Sequence, residues 1–338
     1  MSLVASLPPA FTRRLGIALL VSGCYLALSA MLIGFKADQL VLVALFSGLY
    51  LATDATRRWV LGFAIFMVYW VLFDWMKAFP NYAFNPVHIG DLYAAERSLF
   101  GVTHGGALLT PNEFLSLNNA SWKDLLAGLF YLCWVPVPLA FAGYLYATDK
   151  PHFLRFALCF LLVNLLGFTV YYLYPAAPPW YVAEYGTTLI ANTPGNTAGL
   201  GRFDALTGLP IFHGLYNKSS NVFAAMPSLH AAYLPIAAYW AYRAGLKRAA
   251  VLFIGIAAGI WWAAVYSSHH YLLDVLLGIT CATTGILVFT QLLHWSTFSR
   301  WIERYRRRLE PPLRVLHGAR DRSNRRIPIH HEHVTTHH

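Results

Sequence analysis

The sequence predicts an all-α, polytopic membrane protein of about eight transmembrane helices with two long extracytoplasmic loops. Three observations carry that prediction. Hydrophobic residues make up 57% of the 338-residue chain and charged residues only 12%, about half the charged share of an ordinary soluble domain. The apolar residues gather into runs close to the roughly twenty needed to cross a bilayer core. The net charge of +10 is not spread evenly, because ten of the 25 Lys and Arg lie from Arg300 onward. A nucleic-acid partner is therefore not expected.

Taken in order, the apolar runs fall at about 15–35, 38–55, 59–76, 124–147, 153–174, 227–243, 248–267 and 270–294. The first follows Arg13 and Arg14 but is long, and no small-residue cleavage site leads on to a soluble domain, so it reads as a retained anchor. The second is short and flanked by Asp38 and Asp54. With the N-terminus in the cytosol, eight spans place nineteen of the 25 Lys and Arg inside, as the positive-inside rule asks. Residues of about 77–122 and 175–226 then lie outside. Loops of that length are often functional, and their Pro, Gly, Asn and aromatic content suits ordered caps on a membrane surface. Residues 1–299 read as one transmembrane domain. Residues 300–338 read as a basic, disordered cytosolic tail whose partner is an anionic lipid surface. Cys24, Cys133, Cys159 and Cys281 show no CxxC pair and read as small buried thiols, neither a disulfide framework nor a zinc site.

Two polar clusters interrupt the apolar pattern. Ala225-Met226-Pro227-Ser228-Leu229-His230 leads into the sixth span, with Pro227 expected in its first turn. Ser267-Ser268-His269-His270-Tyr271-Leu272-Leu273-Asp274 joins the seventh and eighth. Spans six and eight both start outside, which puts His230 and His270 at one depth on one face. Helix N-termini offer free N–H groups and favour an anion such as phosphate. His270 and Asp274 are four residues apart and share a helix face. A carboxylate there holds one imidazole nitrogen as N–H and leaves the other free to attack. Facing histidines also fit haem ligation between helices.

Pro227-Ser228-Leu229-His230 followed by His270 and Asp274 resembles the second and third motifs of the type 2 phosphatidic acid phosphatase (PAP2) superfamily, and more narrowly its inositol phosphorylceramide synthase branch. Tyr174 to Trp180 is similar to that branch's proline-rich segment. Gly195 to Asp204 is similar to its outer-loop stretch, and His269-His270-Tyr271 to its paired histidines and following tyrosine. The resemblance is good over roughly 170–280 and extends weakly to Asn85–Gly101, where Gly90-Asp91-Leu92-Tyr93 and Glu96-Arg97 stand. The PAP2-like core is taken as about 124–294. One departure is plain: the arginine that the phosphatases carry six residues before the histidine is Ala264 here. Arg202 and Lys218 are the outer-loop cations that could replace it, and Arg202 is favoured because its guanidinium makes bidentate phosphate contacts. Ser228 is a further phosphate donor or a helix-start residue.

The resemblance implies a membrane lipid phosphotransferase that moves a phospho-headgroup, plausibly phosphoinositol from phosphatidylinositol, onto a lipid alcohol such as ceramide. His270, oriented by Asp274, attacks phosphorus to form a phosphohistidine. His230 protonates the departing diacylglycerol and then deprotonates the acceptor, roles suited to a group titrating near about 6.5. No metal and no cofactor are expected. Two alternatives stay open: a PAP2-type lipid phosphatase with water as acceptor, and a haem-binding or transport protein without phosphoryl chemistry. The expected site faces the periplasm or a lumen, and the short inner connections lean toward a bacterial inner membrane.

Overall fold

The computed structural model of the chain describes residues 8–216 and 221–311. Its first three helices are α1 (Pro9–Ile33), α2 (Ala37–Ala52) and α3 (Asp54–Trp75). Thr53 opens α3 by accepting from the Thr56 backbone N–H at 3.0 Å, the usual work of a threonine cap. The first outer segment folds as α4 (Gly90–Phe100), a hairpin of β1 (Val102–His104) and β2 (Ala107–Leu109), and α5 (Pro111–Leu117). Thr110 and Glu113 form a capping box at α5, with Pro111 at its first position.

The chain then enters α6 (Ser121–Leu132), α7 (Pro136–Thr148) and α8 (Lys150–Leu173). A single fourth span was expected over 124–147. The structure keeps 121–148 as one span-length segment but interrupts its helix at Cys133–Val135, where Pro136 and Pro138 start a new helix instead of continuing the old one. The second outer segment carries α9 (Pro179–Tyr185), α10 (Gly201–Thr207) and α11 (Ile211–Tyr216), and α12 (Leu229–Arg243), α13 (Lys247–Tyr266), α14 (Leu272–Leu292) and α15 (Ser296–Leu309) complete the chain.

The architecture is that of an all-α polytopic membrane protein. Six helical segments among the described residues are long and apolar enough to cross a bilayer: 9–33, 54–78, 121–148, 150–173, 247–266 and 272–292. Of the other two expected spans, α2 has 16 residues and α12 has 15. At about 1.5 Å per residue both fall short of a hydrocarbon core of about 30 Å. Large apolar side chains on the outer helices point outward, with Met31 81% and Val251 74% exposed, which only a lipid surrounding makes favourable.

The short helix α12 is the centre of the bundle. Ten of its fifteen residues are buried, and it packs against α8, α13 and α14. Its Tyr233 hydroxyl donates to Asn164 Oδ1 on α8 at 2.6 Å, so these two buried polar groups satisfy one another. The thiols are all free, but only Cys159 is fully buried and Cys24 is exposed.

The tail reading needs a correction. Residues expected to be disordered from Arg300 belong to α15 as far as Leu309. Ile302 and Leu309 are buried against α3 and α8, and Tyr305 donates to the Leu61 carbonyl. The apolar residues recur at helical spacing and bury one stripe, while the arginines occupy the other face. The terminal histidines lie outside the described residues.

Candidate active site

The site is built around the turn between α13 and α14. The Ala264 carbonyl accepts from both His269 N–H and His270 N–H at 3.1 Å, so the position where phosphatases carry arginine shapes the turn through its backbone. Ser268 takes a left-handed conformation, φ 60°, which lets the chain reverse. Asn112 on α5 donates from Nδ2 to the carbonyls of Val265 and His270, 2.8 Å each. From the second outer segment, Trp180 N–H donates to Ser268 O at 3.1 Å and Gly199 N–H to Ser267 O at 2.8 Å. Gly199 admits no side chain, since a Cβ there would stand 2.8 Å from Ser267 Cα.

This turn brings together the three residues expected to do chemistry. His270 Nε2 lies 3.0 Å from His230 Nδ1. His270 Nδ1 faces Asp274 Oδ2 at 3.5 Å, an electrostatic contact rather than a hydrogen bond of good geometry. His270 and Asp274 are buried, 5% and 0% exposed, while His230 is half-buried. With Asp274 facing Nδ1, that nitrogen of His270 carries the proton, Nε2 accepts, and His230 donates from Nδ1. Burial lowers the His270 pKa to about 4, against the pull of the Ala225 carbonyl, so the imidazole is neutral at pH 7.

The helix starts confirm the shared face and correct the detail. Ser228, not Pro227, caps α12, its Oγ accepting from Ala231 N–H at 3.4 Å. Pro227 therefore precedes the helix. Ser228 N–H donates to the Asp274 carbonyl at 2.9 Å, which ties the starts of α12 and α14 together. Gly278 permits this approach, because a Cβ there would lie 2.2 Å from Ser228 O.

The N-terminus of α14 was expected to hold free N–H groups for phosphate, and it does not. Glu96 on α4, fully buried, accepts from Leu272 N–H at 2.9 Å and Leu273 N–H at 3.1 Å. Asp274 accepts from Tyr271 N–H at 2.8 Å. Burial raises the Glu96 pKa, while the two N–H groups work the other way. The first turn of α12 holds no acidic residue, so that helix alone keeps the anion-friendly end.

His269 is a brace rather than a reactant. Its Nε2 donates to the Thr197 carbonyl at 2.8 Å and its ring stacks on Tyr216 at 4.4 Å, and burial lowers its pKa to about 3. Arg202 is held at the rim: its Nε donates to Asp124 Oδ1 at 2.6 Å and its guanidinium lies over the Tyr266 ring. Tyr266 donates to the same Asp124 oxygen at 2.7 Å. Arg202 Nη2 is buried beside Gly199 without a partner among the described residues. Lys218 lies outside the described residues.

The remaining motifs form the frame. Ala176 of the proline-rich segment bridges His88 on one side and Ala224 on the other, which links the first outer segment to the approach to His230. Asp204 accepts from Phe212 and His213 N–H groups and starts α11. Sequence reasoning gave no role to Glu96, Asn112, Asp124, Tyr131 and Trp134. The last two lie against His230, with ring centroids 5.0 and 4.4 Å away.

A family model described as the PAP2 superfamily matches residues 92–288, a stretch that runs from α4 to α14. The chain is 45% identical over 290 residues to a phosphoinositol dihydroceramide synthase of Bacteroides thetaiotaomicron, covering 85% of this chain and 95% of that protein. It is 29% identical over 278 residues to an inositol phosphorylceramide synthase catalytic subunit of Saccharomyces cerevisiae, covering 78% and 67%. It is 30% identical over 189 residues to an inositol phosphorylceramide synthase of Candida albicans, covering 53% and 39%. No solved structure matches the chain.

Proposed function

The chain belongs to the PAP2 superfamily as a lipid phosphotransferase of the inositol phosphorylceramide synthase type, and we propose that its headgroup travels from phosphatidylinositol to ceramide or dihydroceramide on His270. The observation that carries this reading is the part-buried contact between His270 Nε2 and His230 Nδ1, with Asp274 behind the proposed nucleophile. Nε2 attacks phosphorus and the bond to the diacylglycerol oxygen breaks, that oxygen taking a proton from His230, which enters the step as the imidazolium and leaves it neutral. The acceptor hydroxyl then gives its proton to His230, its oxygen bonds to phosphorus, and the bond to His270 breaks. Two in-line displacements retain configuration at phosphorus.

The Ser228 hydroxyl and Arg202 Nη2 are the proposed donors to the phosphate oxygens, with Lys218 as an added cation. The first turn of α12 supports them with its unopposed positive end. The proposed site faces away from the cytosol, a reading supported by the Lys and Arg distribution, and the proposed membrane is a bacterial inner membrane, supported by the shortness of the inner connections. The arginine face of α15 is the proposed contact with anionic headgroups, where exposed Trp295 and Trp301 suit the interface.

The test uses purified protein, phosphatidylinositol labelled in its headgroup, and ceramide or dihydroceramide, with His270→Ala as control. Label in a new lipid only when acceptor is present is the expected result. Label released to water with or without acceptor would overturn transfer in favour of hydrolysis.

A further inference from the structure

The site lacks the arginine of the phosphatase pattern, and Arg202 already shares its charge with Asp124. Phosphate oxygens in a buried site need donors, so other groups must supply them. Tyr131 on α6 is 1% exposed, yet its hydroxyl has no hydrogen-bond partner among the described residues. Its ring lies 5.0 Å from that of His230 and 5.6 Å from that of His269, tilted by 35° and 31°. The Tyr216 hydroxyl stands nearby without completing a hydrogen bond to it.

A buried hydroxyl without a partner destabilises a fold. Phenylalanine would fill the same space between His230, His269 and Phe212 without that cost. The hydroxyl therefore has a use that packing does not explain, and its ring lies against His230 of the reacting pair and against the bracing His269.

We propose that the Tyr131 hydroxyl donates a hydrogen bond to a non-bridging oxygen of the transferring phosphoryl group. This rests on the phosphotransferase reading and adds a substrate-contacting residue from α6. It is a neutral donor in place of part of the missing cationic contact. Because the phosphate stays anionic through both displacements, Tyr131 serves the phosphodiester and the phosphohistidine alike.

Tyr131→Phe tests it, in full-length protein in detergent. Three quantities are read: transfer from phosphatidylinositol to ceramide, the melting temperature, and the rise in melting temperature with orthovanadate, which binds as a phosphoryl mimic. The expected result is a loss of about ten- to a hundredfold in kcat/KM, about tenfold weaker vanadate binding, and an unchanged or higher melting temperature. A role in packing alone predicts a changed melting temperature with vanadate affinity intact. Wild-type turnover and vanadate affinity in Tyr131→Phe would overturn the proposal and leave the transfer reading standing. Weakened vanadate binding in a protein whose wild type only hydrolyses lipid would keep Tyr131 and remove the transfer reading.

Discussion

His230 Nδ1 and His270 Nε2 stand 3.0 Å apart, so the proposed proton donor faces the lone pair of the proposed nucleophile. On the proposed mechanism a phosphoryl group reaches Nε2 only by displacing this contact, and His230, as the imidazolium, then turns its proton to the leaving oxygen. Acid and nucleophile are thus aligned by the same contact that the substrate breaks.

His270→Ala is expected to abolish transfer with the protein still folded. His230→Ala is expected to lose transfer from phosphatidylinositol by at least about a hundredfold, but much less with a nitrophenyl phosphodiester, whose leaving group needs no proton. Equal losses on both substrates would remove His230 from the acid role.

The pH dependence follows from His270. Its pKa is lowered by burial to about 4 from 6.5, and the attacking form is the neutral one. Activity is therefore present above the lowered value and lost as pH falls through it. The acid limb of kcat/KM is expected near pH 4, with the rate falling again at higher pH as His230 loses the proton that it must donate. A limb near 6.5 would show that His270 is more strongly supported by charge than its burial allows.

Glu96→Gln replaces one acceptor at the start of α14 with an amide that faces an N–H group. A cost of about 1–3 kcal/mol is expected, read as a lower melting temperature together with slower transfer. Glu96→Asp is one methylene short of both amides and should not restore either. An unchanged melting temperature in Glu96→Gln would remove the proposed bracing.

Gly278→Ala forces α12 away from α14, because the new Cβ meets the Ser228 carbonyl at 2.2 Å. Backbone cannot yield as a flexible side chain does. A loss of about 1–3 kcal/mol and a larger fall in turnover than in stability are expected, measured by unfolding and transfer assays on one preparation.

Arg202 and Asp124 should behave as a pair. Removing Arg202 leaves a buried carboxylate with only Tyr266 to serve it. The double variant Arg202→Ala with Asp124→Asn is expected to be more stable than the two single losses predict, with a coupling of about 0.5–3 kcal/mol. Additive losses would show that the 2.6 Å contact carries no stability.

His230, His270 and Asp274 were legible because local spacing and the parity of helix direction together place them on one face. Glu96 and Asn112 were not, since each serves backbone groups far along the chain, and a backbone amide leaves no mark on residue identity. The break between α6 and α7 was marked by Pro136 and Pro138, yet the run stays apolar through it, so hydropathy alone joins the two pieces. In α15 the arginine run hid the spacing of Ile302 and Leu309. The helix is set by its buried stripe, whereas composition reflects its exposed face.

Asn112 precedes the carbonyl of His270 by 158 positions, and the Gly199 and Trp180 contacts also come from earlier in the chain. During synthesis His270 and Asp274 thus arrive after the segments that hold their turn in place. A ribosome-bound chain that has not yet delivered α14 holds the acid without its partner, and so has no means of cutting the lipids through which it is being threaded.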